Sequence, residues 1–218
     1  MGQAISVDNL LRKRYTRLEF TGEWAEAFGQ PVLGGSWFIY GNPSNGKSSF
    51  VQQLARYLAE LGLKVEYVAL EEGADDTMRS AALRAGWKTA GSHIRIREPI
   101  EFSEFAEVVK KPKSADVFVI DSIQYFGEET RFKQYLDLRR TNPKKLFIYI
   151  SHVNGRQPDG KAAIKVMRDS ALKIWVEGFR AISKGRYIGP KGYYTIWKER
   201  ANRYWGEENK NQNQNKEP

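Results

Sequence analysis

The chain has 218 residues, 41% of them hydrophobic, with no cysteine and a formal net charge of +9. This is enough apolar residue for one folded core, and it excludes disulfides, cysteine-based zinc sites and thiol nucleophiles. No apolar run approaches the roughly 18 residues of a membrane span, and the first twenty residues lack a signal-peptide core, so a cytoplasmic protein is expected.

In chain order, residues 1–30 read as a lead-in with one short helix near Val7 to Lys13. "SWFIY" (36–40) is a nearly all-apolar run that predicts a buried strand. It leads into "GNPSNGKS", after which Phe50, Val51, Leu54, Tyr57, Leu58 and Leu61 recur at helical spacing, with Gly62 as a stop. Strands are expected at "KVEYVAL", "HIRIR", "DVFVID" and "KLFIYIS", with helices over 77–85, 101–109 and 131–140 between them. Such alternation predicts an α/β fold with a mainly parallel twisted sheet flanked by helices. From Ala171 onward, "ALKIWVEG", "FRAISKG" and "GYYTIWKE" read as short hairpin strands, and the polar stretch 206–218 as a disordered tail. One domain over 31–205 follows.

Gly41, Asn42, Pro43, Ser44, Asn45, Gly46, Lys47 and Ser48 fit G-x-x-x-x-G-K-[ST], after a strand and opening a helix. Its backbone N–H groups and the helix N-terminus suit phosphate, with Ser49 completing the turn. Lys47 is expected to reach the terminal phosphates of ATP and Ser48 to ligate Mg²⁺. Asp121, at the tip of a buried strand, is the second expected Mg²⁺ ligand. Glu71 and Glu72 follow the next apolar strand, at the sheet edge where ligands bind; Glu71 comes first and is the expected base for an attacking water. Between Ser151 and Trp205 stand twelve Lys or Arg against four acids, +8 of the +9, which points to a polyanion such as nucleic acid.

These motifs together resemble those of the RecA-like P-loop ATPases, over about Thr21 to Trp197. The resemblance implies that "YVALEEG" ends in the family's catalytic glutamate at Glu71, and that "VIDSI" carries its magnesium aspartate at Asp121. "YISHVN" is similar to the sensor strand, which maps onto Ser151 and His152. "AISKGRYIGPKG" resembles the basic hairpin of the RadA and DnaB branches, which makes Lys184 and Arg186 fingers reaching a neighbouring subunit's nucleotide. The loop after the sensor strand, with Arg156, Lys161, Lys165 and Arg168, is the family's usual DNA contact. The chain is similar to the minimal recombination ATPases of phages and mobile elements. The implied function is Mg-ATP hydrolysis coupled to single-stranded DNA in recombination, annealing or repair, by a homo-oligomeric ring or filament. A helicase or single-strand-binding protein is a further expected partner. A DnaB-type helicase motor or a helicase loader is the alternative; a small-molecule kinase fits less well, because Glu71 and the basic second half have no place in it.

Overall fold

The computed structural model describes residues 4–206. Helices α1 (Val7–Arg12) and α2 (Gly22–Phe28) precede strand β1 (Gly35–Tyr40). Then come α3 (Lys47–Glu60), β2 (Val65–Ala69), α4 (Asp76–Arg84), β3 (Ile94–Arg97), α5 (Phe102–Lys110) and β4 (Val117–Asp121). Helix α6 (Phe132–Thr141) leads to β5 (Leu146–Ser151), the short ribbon β6 (Val153–Asn154) and β7 (Gln157–Pro158), and α7 (Lys161–Asp169). The chain closes with β8 (Leu172–Glu177), β9 (Arg180–Gly185), β10 (Tyr193–Thr195) and α8 (Lys198–Trp205).

The main sheet runs β10-β9-β8-β1-β5-β4-β2-β3, parallel from β8 to β3. Strands β9 and β10 are added antiparallel, as the hairpin reading expected. A parallel sheet must bury both faces, and β1 shows how: side chains alternate, so Trp37 and Ile39 enter one core while Phe38 and Tyr40 enter the other. Helices α2, α3 and α4 supply residues to the first core, and α5, α6 and α7 to the second. Phe50, Val51, Leu54, Ala55 and Leu58 make the buried stripe of α3. The turn after it is closed by Gly62, whose φ of 85° suits glycine.

Three parts differ from expectation. Leu18, Phe20, Ala27 and Phe28, within the expected lead-in, are core residues. Trp24 on α2 stacks on Tyr57 and Tyr194 at 4.8 and 4.1 Å between ring centres, which welds α2 to α3 and β10. The segment read as a flexible cationic loop is instead the β6–β7 ribbon and helix α7, where Ala163 and Val166 are buried. "GYYTIWKE" holds a strand only to Thr195; Lys198 starts a helix, not a strand end. The expected tail lies outside the described residues, apart from Gly206, which caps α8 in the left-handed conformation. No helix among the described residues is long and apolar enough to cross a membrane.

Candidate active site

The carboxyl ends of β1, β2, β4 and β5 open onto a cleft of about 450 Å³. Such a position, outside the strand ends, is where open α/β sheets bind ligands. Pro43, Ser44, Gly46, Lys47, Ser48 and Ser49 line it, and so do Glu71, Glu72, Asp121, Ser151 and His152.

The loop between β1 and α3 is held by its own residues and by a distant turn. Gly41 passes so close to β8 that a Cβ there would lie 2.2 Å from the Val176 carbonyl oxygen, so only glycine fits. The Lys47 ammonium donates to the Gly41 and Asn42 carbonyls at 2.7 and 3.0 Å. Asn45 Nδ2 donates to Pro43 O, while Asn45 Oδ1 accepts from the Gly178 N–H at 2.8 Å and Asn45 O from the Phe179 N–H at 3.3 Å. Gly41, Asn42 and Asn45 thus shape the loop, and the remaining residues face the cleft. Gly46, with φ 96°, starts α3, whose first N–H groups have no partner within the helix and point at an anion site.

Burial sets the electrostatics of the cleft. Burial lowers the Lys47 ammonium below its ordinary value, against the pull of Asp121 and Glu71. Burial raises the Asp121 carboxyl to about 6; the Tyr67 hydroxyl, which donates to it, works the other way, and Glu71 and Glu72 add to the rise. The backbone N–H groups of Leu70 and Glu71 both donate to the Asp121 carbonyl oxygen, at 2.7 and 3.1 Å, which ties the two acidic strand ends together. Glu71 Oε2 lies 3.2 Å from His152 Nε2. Glu72, by contrast, accepts from the Thr77 hydroxyl at 3.0 Å.

The residues present fit a magnesium ion. A carboxylate (Asp121) and a hydroxyl (Ser48) are hard oxygen donors, and the Ser122 hydroxyl is buried on the cleft wall with no hydrogen-bond partner among the described residues. Among the described residues no three acidic or histidine side chains cluster as a metal cage. Two donors suit Mg²⁺, which keeps water and phosphate oxygens as its other ligands.

The raised Asp121 has a testable consequence in the nucleotide-free chain. Its folded value, about 6, lies above the ordinary 3.8, so the folded state holds a proton that the unfolded state has released. Stability contributed by that proton is present at low pH and is lost as pH rises from about 4 through 6. At pH 7.5, Asp121→Asn is therefore expected to raise stability by about 1–3 kcal/mol, a few degrees in melting temperature. A scanning melt of both proteins checks this, and a lower melting temperature for Asp121→Asn would contradict it.

Gln124 links this cleft to the basic segment. It lies in the 3₁₀ turn after β4, and its Nε2 donates to Ser151 Oγ and to the Asp159 carbonyl, each at 2.8 Å, while Oε1 accepts from His152 N–H at 3.4 Å. Beside it, a second cleft of about 600 Å³ is lined by Gln124, Glu128, Asp159 and Lys161, among others. Lys161, Lys165 and Arg168 follow i, i+4, i+7 spacing and form the exposed face of α7; Arg156 is exposed in the turn between β6 and β7.

Lys184 and Arg186 do not reach the chain's own cleft. Lys184 pairs with Lys173, and Gly185 with Leu172, toward the amino end of β8, away from the phosphate loop. Both are exposed.

The structure adds residues that sequence reasoning missed. Phe179, Trp197 and Arg200 form a wall of the cleft, and the Arg200 guanidinium lies 4.1 Å from the Trp197 ring centre and 5.3 Å from that of Phe179. Trp197 is 47% exposed. An exposed Trp before a short polar helix was the available sign.

Solved structures share this fold. The KaiC-like protein PH0186 from Pyrococcus horikoshii OT3 superposes with a TM-score of 0.60 at 19% identity, covering 83% of this chain and 98% of that one. The fold is that of the RecA-like P-loop ATPases. The flagellar accessory protein FlaH from Methanocaldococcus jannaschii matches this RecA-like core at 0.57 and 15% identity, covering 83% and 92%. A third solved structure, an ATPase domain, matches at 0.56 and 16% identity, covering 77% and 83%. No family model and no curated protein matches the RecA-like core by sequence.

Proposed function

We propose that this chain hydrolyses Mg-ATP and couples hydrolysis to single-stranded DNA, as an oligomer acting in recombination, annealing or repair. The observation that carries the ATPase reading is the convergence of Lys47, Asp121, Glu71 and His152 in one cleft. Lys47 and the start of α3 hold the phosphates. Ser48 and Asp121 hold the Mg²⁺, which neutralises phosphate charge when bound. Glu71 takes the proton of the attacking water, and the neighbouring His152 orients its carboxylate. Glu72 is engaged with Thr77, which favours Glu71 for this role.

The nucleobase stacks on the wall of Phe179, Trp197 and Arg200. Stacking on an aromatic ring contributes about 1–3 kcal/mol, so Trp197→Ala is expected to weaken nucleotide binding by about 5- to 150-fold. Titration with a fluorescent ATP analogue reads this, and an unchanged affinity would remove the wall from the site.

The DNA reading is supported by the single-signed face of α7 and by Gln124, which joins that segment to Ser151 and His152. The oligomer reading is supported by Lys184 and Arg186 lying away from the chain's own loop, free to serve a neighbour's nucleotide. ATP hydrolysis with and without single-stranded DNA tests the proposal, with Lys47→Ala as the blank. Strong stimulation is expected, and Lys184→Ala is expected to abolish it while nucleotide still binds. Hydrolysis that ignores DNA, in an active preparation, would favour a helicase loader or another partner-driven ATPase; directional unwinding would favour a helicase motor.

A further inference from the structure

A second cationic site lies away from both the nucleotide cleft and α7. At the amino ends of β2 and β4, where edge strand β3 meets the end of α5, a cleft of about 170 Å³ is lined by Lys64, Arg95, Arg97, Lys111 and Lys113, with His93 on its rim.

The pattern of β3 creates it. In "IRIR" the isoleucines and arginines alternate, so Arg95 and Arg97 share one side of the sheet. The register sets Arg95 opposite Glu66 and Arg97 opposite Val68, and Val68 faces the core that α5 covers. Both arginines therefore project toward α5, and the lysines that follow this helix approach from the other side. Glu66 is 6% exposed and, among the described residues, is the one carboxylate in the lining; Arg97 pairs with it. Asp116 is not in the lining; it accepts from the Lys64 backbone N–H at 2.9 Å. Lys110, at the end of α5, is paired with Glu107. Among the described residues Lys64, Arg95, Lys111 and Lys113 form no ion pair, and all four are exposed.

Four cations without an ion-pair partner line one small cleft, where like charges raise the local potential and favour an anion. The end of α5 explains Lys111 and Lys113 as partners of a helix C-terminus, but it does not explain Arg95 on β3 or Lys64 before β2. Among the described residues no helix N-terminus opens onto the cleft and no Phe, Tyr or Trp lines it, so side-chain cations dominate what it offers. Such a site suits a backbone phosphate, which is held by charge without base reading.

We propose that this cleft is a second contact for the phosphate backbone of single-stranded nucleic acid. It rests on the reading that the chain binds such strands, and adds a contact beyond α7. Helix α7 packs under β1 on the same face of the sheet as α5, and four strand spacings of about 4.8 Å, about 19 Å measured across the sheet, separate β1 from β3. A strand that engages both binds more tightly than either site alone allows.

The test is the salt dependence of binding to a fluorescein-labelled thirty-nucleotide oligo(dT), read by anisotropy. The proteins compared are the unaltered chain, Arg95→Ala/Lys111→Ala/Lys113→Ala, and Lys161→Ala/Lys165→Ala/Arg168→Ala. Each lost phosphate contact lowers the slope of log affinity against log salt by about 0.7. The cleft variant is expected to lower the slope by about 1 to 2 and weaken binding at least about tenfold at 0.1 M salt. Its DNA-free hydrolysis and melting temperature are expected to stay unchanged. Should the triple variant melt early, Lys113→Glu alone is expected to weaken binding in the same direction. An unaltered chain that binds no oligo(dT) overturns both this proposal and the DNA reading. Normal binding with an unchanged slope in the cleft variant overturns the cleft alone. Inorganic phosphate that shifts the Arg95 side-chain NMR signal, while the cleft variant binds oligo(dT) normally, would make this a small-anion site and also overturn the proposal.

Discussion

Lys47→Ala is expected to reduce ATP hydrolysis by about 10²- to 10³-fold, the usual loss when one charge-stabilising donor is removed from a reacting group. The magnitude follows from how the ammonium is held. It is partly buried, and burial has already weakened its proton hold, so its charge is poorly matched by water. Its partners are two loop carbonyls, which fix its position and leave its charge for a ligand. Lys47→Arg is not expected to rescue turnover, because a planar fork does not fit a cradle built for a compact charge. Steady-state hydrolysis with Mg-ATP measures both, and a Lys47→Ala chain that turns over normally would refute the phosphate assignment.

The second large effect concerns Glu71. Glu71→Gln keeps the shape of the side chain and removes its basicity, so turnover is expected to fall about 10²- to 10⁴-fold. Nucleotide affinity is expected to hold or tighten, since a negative charge facing the terminal phosphate is lost. Glu72→Gln serves as the contrast, and only a small change is expected, because Glu72 accepts from Thr77. Single-turnover hydrolysis together with fluorescent nucleotide titration separates the two quantities. If Glu72→Gln carries the large loss instead, the base is Glu72.

Three central parallel strands were legible because they are buried on both faces and so read as unbroken apolar runs: "SWFIY", "VFVID" and "LFIYIS". The phosphate loop was legible because its chemistry is local, eight residues that all act within one turn. What escaped depends on distant contacts or on thin apolar stripes. Helix α8 buries only Ala201 and looks polar in sequence, yet it carries Arg200 onto Trp197. Helix α7 buries Ala163 and Val166, too little to declare a helix among so many polar neighbours. Helix α2 is placed by Trp24 between Tyr57 and Tyr194, partners far away in the chain. The pairing of Glu71 with His152 joins residues 81 positions apart, and no spacing rule reaches that distance.

The three hydrogen bonds of Gln124 have a consequence for how the two ends of the molecule exchange free energy. A single amide grips the end of β5 and the carbonyl just before α7, so neither moves without straining or breaking a bond to the other. Linkage between two ligands is reciprocal: whatever factor a bound polyanion on α7 adds to nucleotide affinity, nucleotide returns to the polyanion. Gln124 is thus a joint through which that factor can pass, and its size is bounded by the bonds one side chain can make, about 0.5–1.5 kcal/mol each. Three such bonds sum to about 1.5–4.5 kcal/mol, below the roughly 5.5 kcal/mol that an all-or-none shift requires, so a switch geared this way is graded.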